Sequence, residues 1–312
     1  MLSRRLLRIK VLKALYAHLQ SEGDNLIATE KSMMSTIDKS YDLYFQLMLL
    51  PAELASYMEE RQAMARKKHI KTYEDLNPNT KLIDSPFIEL LNNADSINDY
   101  TSARKLTWRL FPELIKTLYN QLIETEYFKA YMSSGDNSIK ADIAMWEQFF
   151  LTDVQNCELL DDVLEEQSLM WSADLSFVLP LVLRTLSSIR PSHTDIKVMK
   201  KFKNDDDRDF VRTLLQKSLI NFDRNQTYIE KFTSNWDVER IVFMDNLIMV
   251  IAMTELVSFP EIPIKVSLDE YIEISKFYST PGSSLFINGI LDKMAQSLTE
   301  EGAIRKVGRG LI

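Results

Sequence analysis

Apolar residues recur at helical spacing along almost the whole chain. In successive segments they fall three or four positions apart, which places them on one face of an α-helix. This repeated pattern predicts an all-α fold. The predicted helices are residues 4–20, 27–70, 86–93, 101–133, 138–151, 157–188, 206–232, 238–257, 266–278 and 283–299.

Proline and glycine mark the breaks between these segments. Pro78 and Pro86 bracket a polar stretch, Gly135–Asn137 predicts a turn, and Arg190–Ser192 ends a long apolar helix. Glycine is otherwise scarce, with 7 in 312 residues. The chain therefore has little material for tight hairpins or for the glycine-rich loops that bind phosphates and dinucleotides.

Cysteine and histidine are too few and too far apart to predict a metal site. Cys157 is the single cysteine, which excludes an internal disulfide and a thiolate metal cluster. His18, His69 and His193 lack the short spacing that brings two imidazoles to one metal ion. We therefore expect no metal and no cofactor.

The residue pattern predicts neither catalysis nor a membrane span. Adjacent carboxylates such as Glu165–Glu166 are typical of a solvated helix face rather than of an acid–base pair. The most apolar region, residues 241–259, is interrupted by Asp245 and Glu255. Together with the lone cysteine, these features predict a non-enzymatic protein of the reducing cytoplasm that has no membrane partner.

Positive charge is concentrated at the two ends of an acidic chain. The formal net charge is −8, yet residues 1–20 contain five cations and no acid. Three interpretations fit this segment: a helix that binds phosphates, a mitochondrial presequence, and a solvated charged face. A secretory signal is excluded because Lys10 and Lys13 interrupt the apolar stretch. A second basic segment, residues 301–312, contains Arg305, Lys306 and Arg309.

Two groups of cations are candidate anion-binding sites. On a helix over residues 4–20, Arg4, Arg5 and Arg8 fall on an arc of about 100°. Guanidinium groups suit phosphate oxygens because each offers paired N–H donors. The other group, Arg66–Lys68 with Lys71, has two interpretations, a second basic patch and an exposed helical face.

The last hundred residues contain more specific motifs. An apolar helix ends at Thr254–Leu256, and the segments Glu261–Val266 and Phe286–Lys293 follow it. In this order the motifs resemble those of the NusB family of bacterial transcription antitermination factors. The N-terminus agrees, because Arg4–Arg8 lead to Ala14–Tyr16, as the arginine-rich first helix of that family leads to its Ala-Leu-Tyr.

The resemblance covers residues 1–20 and about 206–298. It implies a NusB-like helical bundle with an additional helical insertion after the first helix. We therefore expect an RNA-binding core at residues 1–20 and 206–300, an insertion of unknown role at residues 21–205, and a basic tail at residues 301–312.

The resemblance also implies a function. NusB proteins bind the boxA segment of ribosomal RNA leaders, usually with NusE, a small-subunit ribosomal protein, and the complex acts on transcribing RNA polymerase. By analogy, the expected RNA-binding residues are Arg4, Arg5, Arg8, Lys10, Tyr16 and Phe286. The expected surface for NusE includes Glu239, Arg240 and Asp245.

Alternatives remain for the function and for single residues. A scaffold that binds proteins without specific RNA binding is the alternative function. Tyr16 and Phe286 also fit core positions, and Gly289 fits close packing of two helices. Glu255 and Glu270 are candidates for polar contacts inside the bundle.

Overall fold

The structure, a computed structural model, describes residues 1–21, 25–168, 170–233 and 242–311. These residues contain α-helices and no strand, which confirms the predicted all-α fold. A π-helical turn at Phe150–Val154 and a 3-10 helix at Gly308–Leu311 complete the regular structure. The α-helices are α1 (Arg4–Gln20), α2 (Leu26–Met48), α3 (Leu50–Ala65), α4 (Tyr73–Leu76), α5 (Pro86–Asn92), α6 (Asp95–Arg104), α7 (Pro112–Glu124), α8 (Glu126–Ser133), α9 (Ile139–Phe149), α10 (Glu158–Gln167), α11 (Trp171–Ser188), α12 (Asp205–Ile220), α13 (Phe222–Thr233), α14 (Phe243–Ser258), α15 (Ile264–Tyr278) and α16 (Ser283–Glu300).

The chain divides into two compact units, and both are discontinuous in sequence. The first unit consists of Met1–Leu2 and Asp38–Lys201. The second unit consists of Ser3–Ile37 and Phe202–Ile312. Helix α2 begins in the second unit and ends in the first.

The first unit packs its helices around aromatic side chains of α9. Trp146 and Phe149 are fully buried, and their ring centroids lie 5.4 Å apart. The carboxylate of Asp142, one helical turn before Trp146, accepts hydrogen bonds from the Tyr131 hydroxyl at 2.7 Å and from the Phe87 backbone N–H at 3.1 Å. This buried carboxylate therefore joins α9 to α8 and to the start of α5.

The second unit is built around α14. The side chains from Leu247 to Ala252 are all fully buried. Among the described residues, five helices pack against α14, namely α1, α12, α13, α15 and α16. Apolar residues therefore occur on every side of this helix. The same packing places the first two turns of α1 against α14 and α15.

Several predicted helices are divided in the structure. The predicted helix at 27–70 ends at Met48 and restarts as α3, which has Pro51 in its first turn. The predicted helix at 101–133 is three helices, because Pro112 begins α7 and the Thr125 hydroxyl caps α8. These breaks allow short helices to surround the core of the first unit.

Within the described residues, no single helix is both long enough and apolar enough to cross a membrane. Helices α10 and α11 reach that length and composition only when taken together, and they are bent by 112° relative to each other.

Candidate nucleic-acid interface

Helix α1 positions the predicted arginines at the edge of the second unit. The Ser3 hydroxyl caps the helix by accepting a hydrogen bond from the Leu6 N–H at 3.2 Å. Leu6, Leu7 and Leu15 are fully buried and fix one side of α1 to the core. The helix spans Arg4–Gln20, as its sequence pattern predicts.

Arg8 forms a buried ion pair with Glu255 of α14. Its Nε and Nη2 atoms donate to the two carboxylate oxygens at 2.8 and 2.7 Å, and both side chains are at least 97% buried. The Ser267 and Tyr271 hydroxyls donate to the same carboxylate at 2.7 and 2.8 Å. Contact between Arg8 and an RNA phosphate would require breaking this pair, so the structure gives Arg8 a position inside the bundle instead of the expected exposed one.

The pairing of Arg8 with Glu255 keeps both groups charged. Burial acts to raise the pKa of Glu255, but the hydrogen bonds and charge of Arg8 outweigh it and hold that pKa below its usual value. Burial acts to lower the pKa of Arg8, and the Glu255 carboxylate raises it above its ordinary value. The pKa of Tyr271 is raised by burial and by the Glu255 charge, so its hydroxyl remains a hydrogen-bond donor.

Arg4 and Arg5 remain accessible while each is held by one carboxylate. Arg5 donates to both oxygens of Glu270 at 2.9 and 3.0 Å, and 38% of its side chain is exposed. Arg4 Nε donates to Asp207 at 2.8 Å, and 43% of the Arg4 side chain is exposed. A guanidinium has five N–H donors, so each arginine retains donors for a second anion. Together with the Arg8 pair, these contacts confirm that Glu255 and Glu270 make polar contacts inside the bundle.

Lys10 and the two predicted aromatic residues occupy different environments. Lys10 is 1% exposed, so contact with RNA would require the side chain to leave the core. Phe286 is partly exposed on the first turn of α16. Tyr16 is 40% exposed and packs against Phe243 of α14, with ring centroids 5.9 Å apart. Neither Tyr16 nor Phe286 is therefore fully buried, as a core residue would be.

A basic and aromatic cluster extends from Tyr16 to the end of α15. The Lys13 ammonium lies 5.4 Å from the centroid of the Tyr278 ring, within cation–π distance. The next residue, Ser279, donates its hydroxyl to Asp245, which is two positions after Phe243. We call Lys13, Tyr16, Phe243 and Tyr278 the α1 aromatic cluster. Sequence reasoning missed Phe243 and Tyr278, because their positions next to α1 depend on contacts distant in sequence.

The residues predicted to meet NusE are only partly described. Glu239 and Arg240 lie outside the described residues. Asp245 is 3% exposed and accepts the Ser279 hydrogen bond, which leaves it little surface for a partner. An Asp245→Lys substitution would bury a cation and remove this bond, so it would disturb the fold as well as any docking surface.

The predicted basic tail packs against the end of α14. Lys306 Nζ donates to the backbone oxygens of Leu256 and Phe259 at 2.9 and 3.0 Å, which satisfies carbonyls at the C-terminus of α14. Burial lowers the pKa of Lys306 below its ordinary value. Lys306 therefore has a structural contact in the second unit.

Two other predictions concern packing and metal ions. A Cβ added to Gly289 would meet no heavy atom within 4 Å, so the prediction that this glycine permits close helix packing is wrong. Among the described residues, no group of three or more His, Cys, Asp and Glu side chains could hold a metal ion.

Comparison with known proteins identifies a family for the C-terminal part of the chain. The family model for the NusB family matches residues 181–296. The transcription antitermination protein NusB of Salinibacter ruber is 44% identical over 105 residues, which are 34% of this chain and 66% of that protein. The NusB proteins of Chloroherpeton thalassium and Natranaerobius thermophilus are 38% and 36% identical, over 34% and 29% of this chain and 50% and 66% of their own lengths. The chain thus spans about half to two thirds of the length of these relatives.

A solved structure gives a weaker match. The NusB structure from T. maritima is 24% identical and covers 44% of this chain and 84% of its own, with a TM-score of 0.29. The family assignment therefore rests on the sequence comparisons, which agree with the motifs at residues 254–293 and with the helical fold. Residues 181–296 of this chain match the NusB family, both by the family model and by similarity to NusB proteins.

Proposed function

We propose that this chain acts in transcription antitermination by binding a boxA-type single-stranded RNA along α1. The observation that supports this role is the pair of half-exposed arginines, Arg4 and Arg5, on the first turn of α1. The names of the relatives support antitermination as the process. The role is one of binding and requires no catalytic group.

The geometry of α1 and α15 suits an extended strand. Arg5 meets Glu270 and Lys13 meets Tyr278, so α1 and α15 run in the same direction along their shared surface. The two positions on α1 are about 12 Å apart at about 1.5 Å per residue. An RNA strand on this surface would meet arginines at one end and the α1 aromatic cluster at the other.

The chemistry of the two ends matches the two parts of a nucleotide. Proteins bind short single-stranded RNA through cations that follow the phosphates and aromatic rings that stack on the bases. We assign phosphate contacts to Arg4 and Arg5, and base contacts to Tyr16 and Phe286. Arg8 is a positioning residue in this proposal, because its pair with Glu255 holds the first turns of α1 against α14.

We further propose that NusE and the transcribing polymerase complex are the protein partners, as in the family. The predicted contacts Glu239 and Arg240 stay candidates for the NusE surface. Residues 1–20 and 206–300 form the RNA-binding core in this proposal, and residues 21–205 form the helical insertion. We place the protein in the cytoplasm, where nascent bacterial transcripts are made.

The test measures fluorescence anisotropy of a labelled boxA-like RNA and of a shuffled RNA, with and without the cognate NusE, at two salt concentrations. We expect selective binding that NusE strengthens and that higher salt weakens. An Arg4→Ala/Arg5→Ala variant should lose most of this binding. The matched control is Lys217→Ala/Lys293→Ala, which removes two exposed cations elsewhere in the second unit and should bind as the wild type does.

Two results would contradict the proposal. Equal affinity for boxA-like and shuffled RNA would reject sequence recognition. No binding by folded wild-type protein, even with NusE, would favour the alternative function, a scaffold that contacts proteins through a NusB family domain.

A further inference from the structure

An exposed basic loop follows α3 in the first unit. We define the basic loop as residues 64–73, which run from the last two residues of α3 to the first residue of α4, include Arg66, Lys67, Lys68 and Lys71 and contain no acid. Every residue from Arg66 to Tyr73 is exposed. The loop lies outside the range that matches the NusB family, so the proposed function does not explain it.

Contacts with Asp75 give the basic loop a defined shape. Lys68 Nζ donates to the Asp75 carboxylate at 2.9 Å. The Thr72 N–H donates to the same carboxylate at 2.9 Å, while the Thr72 hydroxyl accepts from the Asp75 N–H at 3.2 Å. This capping box starts α4 and ties the two ends of residues 68–75 together. A loop held in this way loses less conformational entropy when it binds a ligand.

Three cations of the basic loop are not neutralised by the protein. Among the described residues, the side chains of Arg66, Lys67 and Lys71 make no ion pair and no hydrogen bond. Two other exposed lysines of the first unit differ in this respect, since Lys116 pairs with Glu113 at 3.0 Å and Lys129 lies within 3.5 Å of two glutamates. The loop therefore presents a local positive charge on a chain whose net charge is −8.

An exposed aromatic residue follows these cations in the sequence. Tyr73 is 77% exposed and is two positions after Lys71. Ile70 and Met64 are also largely exposed, at 84% and 67%. An exposed ring beside unpaired cations is the combination that binds single-stranded nucleic acid, because bases stack on the ring while cations contact the phosphates.

We propose that the basic loop is a second binding site for single-stranded RNA, which acts independently of the α1 surface. Arg66, Lys67 and Lys71 contact phosphates, and Tyr73 stacks on one base. A polymer with regular negative charge and planar bases fits both features, whereas carboxylates of an acidic protein would use only the cations. The acidic remainder of the chain repels the polymer and restricts it to the basic surfaces.

The experiment uses the full chain with Arg4→Ala/Arg5→Ala, so that the result does not depend on the α1 site. Anisotropy of a labelled oligouridine RNA is measured over a salt series, and the logarithm of the binding constant is plotted against the logarithm of the salt concentration. Adding Arg66→Ala/Lys67→Ala/Lys71→Ala should make this slope shallower by about 2, since each phosphate contact with a single strand contributes about 0.7.

A charge-matched variant separates a local contact from the effect of net charge. Lys116→Ala/Lys129→Ala/Lys140→Ala removes three exposed cations of the same unit and should leave the slope unchanged. Tyr73→Ala should weaken binding about tenfold through loss of stacking. Tyr73→Phe keeps the ring and should bind as the parent does.

Specific outcomes would overturn the proposal. An unchanged slope in the basic-loop variant, in a protein shown by circular dichroism to be folded, would reject the RNA contact. An equal loss in the charge-matched variant would assign the effect to net charge. Tighter binding to polyglutamate would assign the loop to an acidic protein, and tighter binding to phosphatidylserine vesicles would assign it to a membrane surface.

Discussion

A charged residue in the core has to be paired, and Arg8 illustrates this at the scale of one side chain. Its side chain is 3% exposed and pairs with Glu255, which also accepts hydrogen bonds from Ser267 and Tyr271. The buried Glu255 carboxylate therefore accepts hydrogen bonds from three side chains. Removing one member of such a pair leaves the other charge buried without compensation.

Arg8→Ala is expected to lower the free energy of unfolding by about 3–5 kcal/mol because it leaves Glu255 unpaired. Lys116→Ala is the control, since both members of its pair with Glu113 are more than half exposed and such a pair contributes less than about 1 kcal/mol. Urea denaturation followed by circular dichroism measures both values. Similar losses in the two variants would contradict the assignment of Arg8 to a structural position.

The lowered pKa of Glu255 predicts a dependence of stability on pH. A carboxyl whose pKa is lower in the folded than in the unfolded state stabilises the fold above its ordinary pKa of 4.5. That contribution is lost as the pH falls through the folded-state pKa. The difference in free energy of unfolding between wild type and Glu255→Gln should thus be large at pH 7 and shrink as the pH falls below 4.5. A difference that stays constant over this range would contradict it.

At the scale of helices, features that nearby residues determine are predicted better from the sequence than features that depend on contacts distant in sequence. The limits of α1 and the start of α5 at Pro86 follow from capping and proline chemistry, which act within a few residues. The burial of Arg8 depends on Glu255, 247 positions away, and no spacing within α1 indicates it. The sequence therefore predicts that Arg4, Arg5 and Arg8 lie on one side of α1. It does not predict that Arg4 and Arg5 are partly exposed and that Arg8 is buried.

The C-terminal segment offers a test at the same scale. A Cβ on Gly310 would lie 2.0 Å from the backbone oxygen of Pro260, which also accepts a hydrogen bond from the Val307 N–H. Gly310→Ala should therefore displace residues 304–311 and speed hydrogen exchange at Val307. Gly289→Ala, which meets no atom within 4 Å, should instead stabilise α16 by up to about 1 kcal/mol. Unchanged exchange in Gly310→Ala would contradict the packing of the segment.

At the scale of the whole molecule, the distribution of charge limits where a polyanion binds. The net charge of −8 disfavours RNA over most of the surface, while the first turn of α1 and the basic loop present cations in different units. The sequence located both groups of cations but left their interpretation open. The structure distinguishes them by their partners, since the α1 arginines are held by carboxylates and three cations of the basic loop are not.

The discontinuity of the second unit has a consequence for biosynthesis. Arg4 and its partner Asp207 are 203 residues apart, so α1 leaves the ribosome long before α12, α14 and α15 exist to cover its apolar side. Residues 38–201 are continuous and can complete the core of the first unit in the meantime. The core of the second unit is consequently completed after that of the first unit, and the leucines of α1 need protection from aggregation until then.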